Sequence, residues 1–242
     1  MFMRVPLLLA LVTAGCLHGA DWSGTFEVVE TVAGPAPAAA DRREIEAAAK
    51  SLEARLGKAR EGLKNASAVV ARTYRQDIGH LEAELESLAL ERGGTVTLGR
   101  TSYAVRGQRV AADGDEARVV GDGAAGTAVV VAPGKRERVS LVKTPPQAPA
   151  DAVAGPPVGD IATMRGTIIV GGDACMVTYA PVLPNVYALT RVPAQGSDSL
   201  SAALAALPGL PLEVERRTAR GVQRWTVHKL VAAPIDDRLL AD

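Results

Sequence analysis

The stretch whose reading decides the fold is "GLPLEVERRTARGVQRWTVHKLVAAPIDDRLL", Gly209 to Leu240. Leu212 to Arg217 and Val222 to Val231 read as two strands, joined by the turn "TARG" and followed by the acidic stop "PIDD". In the second strand Trp225, Val227 and Val231 share a parity with Lys229, while Arg224, Thr226 and His228 take the other. Alternation of this kind builds a sheet that is apolar on one face and wet on the other. A sheet with one apolar face has to cover it.

Upstream of this hairpin the same pattern recurs. "TVTLGRTSYAVRG" reads as a strand, "QRVAADGDEARVVGD" as two strands around the turn Asp113-Gly114, and "GTAVVVAPGKRERVSLV" as two more around Pro133-Gly134. "GTIIVGGDACMVTYAP" reads as a hairpin around Gly171-Gly172-Asp173, and "NVYALTRVP" as a further strand. "SDSLSAALAALPG" reads as a short helix capped at Asp198 or Ser199 and stopped by Pro208-Gly209. Residues 143–160, rich in Pro and Ala and without periodicity, read as a loop. A first strand spans roughly Trp22 to Thr31, with Trp22, Phe26 and Val28 on one parity.

Between the first strand and the others lies a helical block, Asp41 to Arg92. Ile45, Leu52, Leu56, Leu63, Val70, Tyr74, Ile78, Leu81, Leu85 and Leu88 recur at helical spacing, with charged residues on the other face. Asp41 with Glu44 has the form of a capping box. One helix over the block would be about 75 Å long at ~1.5 Å per residue. Gly57, Gly62 and "KNAS" interrupt it, and Ser67 suits a second N-cap. The block therefore reads as a helical hairpin, inserted at residues 41–92, that returns the chain to the sheet. Such a hairpin, the short Ser199 to Leu207 helix and a ligand are the candidate covers for the apolar face.

"MFMRVPLLLALVTAGCLHGA", residues 1–20, is a targeting segment: Arg4, an apolar run to Val12, then small residues. The run is far short of the ~20 residues that span a bilayer. The chain is therefore expected to be exported. Two readings of its processing are open: a lipobox in "TAGC" with Cys16 lipidated, or cleavage after Ala14 or Ala20 with no anchor. Either way a membrane is met only through a lipid on Cys16.

Composition narrows the chemistry. The chain of 242 residues carries 27 Lys+Arg and 27 Asp+Glu, so it presents no basic field for nucleic acid. Aromatics are 3%, which leaves no stacking platform for single strands. Of the two cysteines, Cys16 lies in the targeting segment, and Cys175 in the apolar run "ACMVTY" reads as a buried inert thiol. His80 falls on the helical block and His228 on the polar face of the last strand; His18 is lost if cleavage follows Ala20. No metal, catalytic or phosphate-binding motif is formed. The acids Asp113, Asp115, Glu116 and Asp122 lack the spacing of a calcium loop, and glycine-rich "GDGAAGTA" reads as a turn. The expectation is a non-enzymatic protein without cofactor or metal, its ligand-binding residues not identifiable from sequence.

Three segments carry a resemblance. "DWSGTFEVVET" follows the targeting segment directly; "GTIIVGGDACMVTY" supplies Gly172 and Cys175 in a central G-x-x-C hairpin; and the final stretch supplies Gly209, Pro211, Leu212, Asp236 and Asp237. Together they resemble the LolA/LolB-like superfamily of periplasmic lipoprotein-sorting carriers and their exported relatives, over roughly two thirds of the chain. The block 41–92 departs from that family, whose link there is shorter. The resemblance implies an α+β fold: a strongly curved antiparallel sheet, an open half-barrel, as one domain over residues 21–242, with helices across its concave side. It implies a periplasmic or outer-membrane-associated bacterial protein that binds or carries an apolar or lipid-like ligand, such as a lipoprotein acyl chain. The alternative is a structural or interaction protein whose amphipathic hairpin docks a protein partner or dimerises.

Overall fold

The computed structural model describes residues 22–39, 41–192, 199–218 and 221–241. The targeting segment with Cys16 and His18, the alternative cap Asp198, and Ala219 and Arg220 of the "TARG" turn lie outside the described residues. Within them the chain is α+β. In order it forms β1 (Ser23–Ala33), α1 (Arg42–Lys64), α2 (Ala68–Glu91), β2 (Thr95–Arg106), β3 (Arg109–Asp113), β4 (Arg118–Asp122), β5 (Thr127–Ala132) and β6 (Lys135–Ser140). There follow β7 (Val153–Ala154), β8 (Met164–Val170), β9 (Asp173–Ala180), α3 (Val186–Thr190), α4 (Leu200–Ala205), β10 (Leu210–Thr218), β11 (Gly221–Ala232) and a 3-10 turn, Asp237–Leu240. The described strands make one 11-stranded sheet in the order β6-β5-β4-β3-β2-β1-β11-β10-β9-β8-β7. It is not closed: β6 and β7 are its two edges.

The chain divides into two compact units. The first comprises residues 22–30, 99–216 and 224–241 among those described. Phe26, Val28, Tyr103, Val105, Val110 and Ala112 point to one side of its strands and are buried with Leu183, Val186, Leu210 and Leu212. Further along, Val170, Cys175, Val177, Tyr179 and Val214 pack with Leu204 and Leu207. The apolar face is thus covered within this unit by α3 and α4, α3 lying against β3 and β4 and α4 against β8. At the β8–β9 hairpin both loop residues, Gly171 and Gly172, have positive φ (57° and 92°), as a two-residue turn matched to the strand twist requires.

Several expectations are corrected here. Val186–Thr190 is helical, not a strand. Five residues are too few to hold a helix by themselves; Asn185 makes the difference by accepting hydrogen bonds from the N–H groups of Tyr187 and Ala188. In β11 the parity rule fails beyond Val227. Lys229 sits at φ 52°, which resets the alternation. Leu230 packs against the core while Val231 is 51% exposed. The segment 143–160 contains β7, which pairs Val153 with Arg165 and Ala154 with Met164. It is tied down elsewhere: Gln147 N–H donates to Ala206 O (2.6 Å) and Thr167 N–H to the Asp151 carboxylate (2.8 Å).

The second unit comprises residues 31–98 and 217–223, of which Ala40, Ala219 and Arg220 are not described. Its helices α1 and α2, linked by residues 65–67, pack through Leu52, Leu56 and Leu81, with Ile78, Leu85 and Leu88 alongside. Arg60 pairs with Glu82 across them at 2.7 Å. Gly62 is a contact point for Tyr74, whose ring stands 2.5 Å from where a Cβ would be. Asp41 occupies the N-cap of α1 but its side chain makes no capping hydrogen bond, so the capping box does not form. Ser67 is the N-cap of α2 in extended geometry, also without a side-chain bond. Val70 is 47% exposed and leaves the expected stripe; its place is taken by Ala71.

Candidate functional site

The residues that assemble a groove of the first unit come from four segments. The β2–β3 turn contributes Gly107 and Gln108, and the segment after β6 contributes Thr144 and Pro146. The stretch from β9 into α3 contributes Pro181, Leu183, Pro184 and Leu189, and the end of α4 contributes Leu207 and Pro208. Together they enclose about 290 Å³. A neighbouring depression of about 460 Å³ shares Gln108, Thr144, Ala188 and Leu189 with it.

Two features hold the walls. Asn185 is the keystone of one: its amide donates to the carbonyls of Leu204 (2.7 Å) and Leu207 (2.8 Å), while its oxygen caps α3. All of its hydrogen-bonding capacity is spent on structure, which fixes α3 against α4. Gly121 holds the other, because a Cβ there would stand 1.8 Å from Leu189 O. Only a glycine lets the end of α3 come down onto β4. Behind the groove, Arg191 donates to Thr144 Oγ1, and its own carbonyl accepts from Val142 N–H at 3.1 Å.

The core cluster of this unit holds a buried phenol pair. Tyr103 stacks on Phe26 (centroids 4.9 Å, planes 12° apart) and shares a hydrogen bond with Tyr187. Burial pushes the Tyr103 phenol up to about 12. Burial, with the facing Tyr103 phenol and Glu30, holds Tyr187 well above the ordinary tyrosine range. Both stay protonated under physiological conditions and serve as packing groups with a satisfied hydroxyl, not as acids.

The residues singled out from sequence do not converge. Cys175 is fully buried, and burial pushes its thiol up, the opposite of what a nucleophile needs. Gly172 forms the hairpin turn; Gly209, Pro211 and Leu212 are buried at the start of β10. Asp236 caps the 3-10 turn by accepting from Arg238 N–H (2.9 Å), and Asp237 pairs with Arg106. His80 and His228 are exposed, on α2 and β11. Asp113 pairs with Arg118 at 3.1 Å, and Asp122 accepts from Ala125 N–H at 2.9 Å, so these acids close turns. Among the described residues no group of three or more His, Cys, Asp or Glu side chains is arranged to hold a metal ion. No helix among them is long and apolar enough to cross a membrane.

The groove itself was not legible in the sequence. Its signal was the repeated proline in "TPP", read as loop, in "LPG", read as a helix stop, and in "PVLPN", to which no role was given. No family model matches the chain, and no curated protein matches it.

Proposed function

We propose that this is a non-enzymatic, exported cell-envelope protein that binds an apolar or lipid-like group, on a LolA/LolB-like open half-barrel with an inserted helical hairpin. The observation that carries the reading is the groove wall: Pro146, Pro181, Pro184 and Pro208 converge there with Leu183, Leu189 and Leu207. Proline has no backbone N–H, so this wall is rigid and poor in hydrogen-bond donors. Such a surface suits a ligand that asks for no donors, with Gln108 and Thr144 left to orient a polar end. The volume of about 290 Å³ lies near the lower end of the ~300–1,000 Å³ usual for small-molecule pockets. It fits one chain or ring, not a whole multi-acyl lipid. The export signal, the open sheet and the resemblance at both ends of the chain support the same reading, with periplasmic or outer-membrane-associated location and an anchor only if Cys16 is lipidated.

Native mass spectrometry after mild purification tests it. A co-purified species of lipid-like mass is expected, and Leu189→Trp, which fills the groove, should abolish it. A clean apo mass for the wild-type chain sinks the proposal.

A second reading, a partner-docking or dimerising hairpin, is favoured by one observation. Val69 is 83% and Val70 47% exposed at the start of α2, where an isolated pair of helices has no use for them. Val69→Lys with Val70→Lys should then abolish self-association in sedimentation; unchanged sedimentation removes the reading.

A further inference from the structure

The strand β3 is buried at three consecutive positions, Val110, Ala111 and Ala112. Val110 and Ala112 face the main core, but Ala111 faces the other way, where a sheet of this kind is normally wet. What covers it is the chain's own C-terminal segment. Ile235 and Leu240 pack on Ala111, Val120 and Ala104, and Leu240 is completely buried. Three arginines at the strand ends grip the same segment. Arg106 pairs with Asp237, Arg109 donates to Leu240 O (3.1 Å), and Arg118 donates to Leu239 O (2.7 Å) and Ala241 O (3.2 Å). Arg109 Nε is buried and has no hydrogen-bond partner among the described residues.

These contacts have the form of ligand recognition. Two aliphatic anchors enter a shallow apolar floor, one carboxylate meets a guanidinium, and successive main-chain carbonyls are read by two others. Every receptor group stands on β2, β3 or β4, and none depends on the segment's being covalently continuous with β11. The intervening residues Asp236, Asp237, Arg238 and Leu239 are exposed, so among the described residues the two anchors and the arginines hold residues 234–241. Ser23 of β1 holds Ala233 just before them, donating from its hydroxyl to Ala233 O (3.0 Å) and accepting at its carbonyl from Ala233 N–H (3.1 Å).

We propose that the outer face of β2–β4 is a peptide-docking site for an acidic-aliphatic segment, with residues 234–241 as its resident occupant, held in cis and exchangeable. This site lies on the opposite side of the strands from the groove and stands independently of the function assigned to it. An N-terminally labelled synthetic peptide of residues 233–242, followed by fluorescence anisotropy, tests it. The full-length Leu240→Asp chain, whose own segment is ejected, should bind the peptide at least tenfold more tightly than the wild-type chain, whose site is filled. Adding Arg118→Ala to that chain should weaken the binding at least tenfold. Equal binding by both chains, or none by a Leu240→Asp chain with wild-type circular dichroism, overturns the proposal. If Leu240→Asp does not fold, Arg118→Ala alone decides. The Leu239 amide should then exchange with deuterium at least threefold faster than in wild type, with β8–β9 unchanged, and equal rates overturn the proposal.

Discussion

Asn185 and Leu207 are joined by a hydrogen bond of 2.8 Å from the side-chain amide to the backbone carbonyl, and through it a five-residue helix is fastened to the end of α4. Because the same side chain caps α3, Asn185→Ala removes a cap and strands two carbonyls at once. A loss of about 2–3 kcal/mol is expected. Asn185→Ser restores a cap without reaching α4 and should recover only part of it. Urea denaturation measures both; a loss below about 0.5 kcal/mol for the alanine variant would show that α3 does not depend on this residue.

The Tyr103–Tyr187 pair predicts an alkaline limit to stability. Both phenols have folded-state values above the ordinary 10, with Tyr103 at about 12. The unfolded chain therefore loses these protons first as pH rises. The contribution of Tyr103 is whole below pH 10 and is lost between there and about 12. Tyr187→Phe leaves the Tyr103 hydroxyl without its partner, at a cost of about 1–2 kcal/mol. Phenolate absorbance should show these two tyrosines titrating only as the fold is lost; ordinary titration of all tyrosines in the native state would refute the assignment.

Gly121 is expected to tolerate no side chain. A Cβ 1.8 Å from Leu189 O cannot be accommodated by a rotamer change, since both atoms are backbone-fixed. Gly121→Ala should cost about 3 kcal/mol and empty the groove of any ligand, because Leu189 must move off the sheet. Wild-type stability in the variant would mean that α3 already stands away from β4.

Cys175 should be chemically silent in the native chain. It is fully buried and its thiol is pushed up by burial. Maleimide labelling followed by mass mapping of the peptide bearing Cys175 should give no adduct in buffer and complete reaction in denaturant. Rapid native labelling would require the β8–β9 region to open.

The sheet was readable because antiparallel hairpins are local objects. Gly171-Gly172, Asp113-Gly114 and Pro133-Gly134 announce their turns, and the residues beside them alternate with period two. β3–β4, β5–β6 and β8–β9 pair accordingly. The heptad-like spacing of Leu52, Leu56, Leu81 and Leu85 announced helices for a similar reason, although Val70 does not join them and the Asp41 capping box does not form.

Residues 185–190 show where that reading stops. Val-Tyr-Ala-Leu-Thr suits a strand by composition, and helix wins only because Asn185 finds the carbonyls of Leu204 and Leu207, some twenty residues away in the chain. Lys229 likewise turns Leu230 inward and Val231 outward against the strand's own parity. Periodicity along the chain thus determined which segments are strands or long helices, because that depends on neighbours within a few residues. The convergence of four segments, three of them proline-bearing, on a groove, and the arrival of Leu240 on the far side of Ala111, depend on contacts between distant segments. Those exist only after the sheet has formed, so tertiary structure alone decided them.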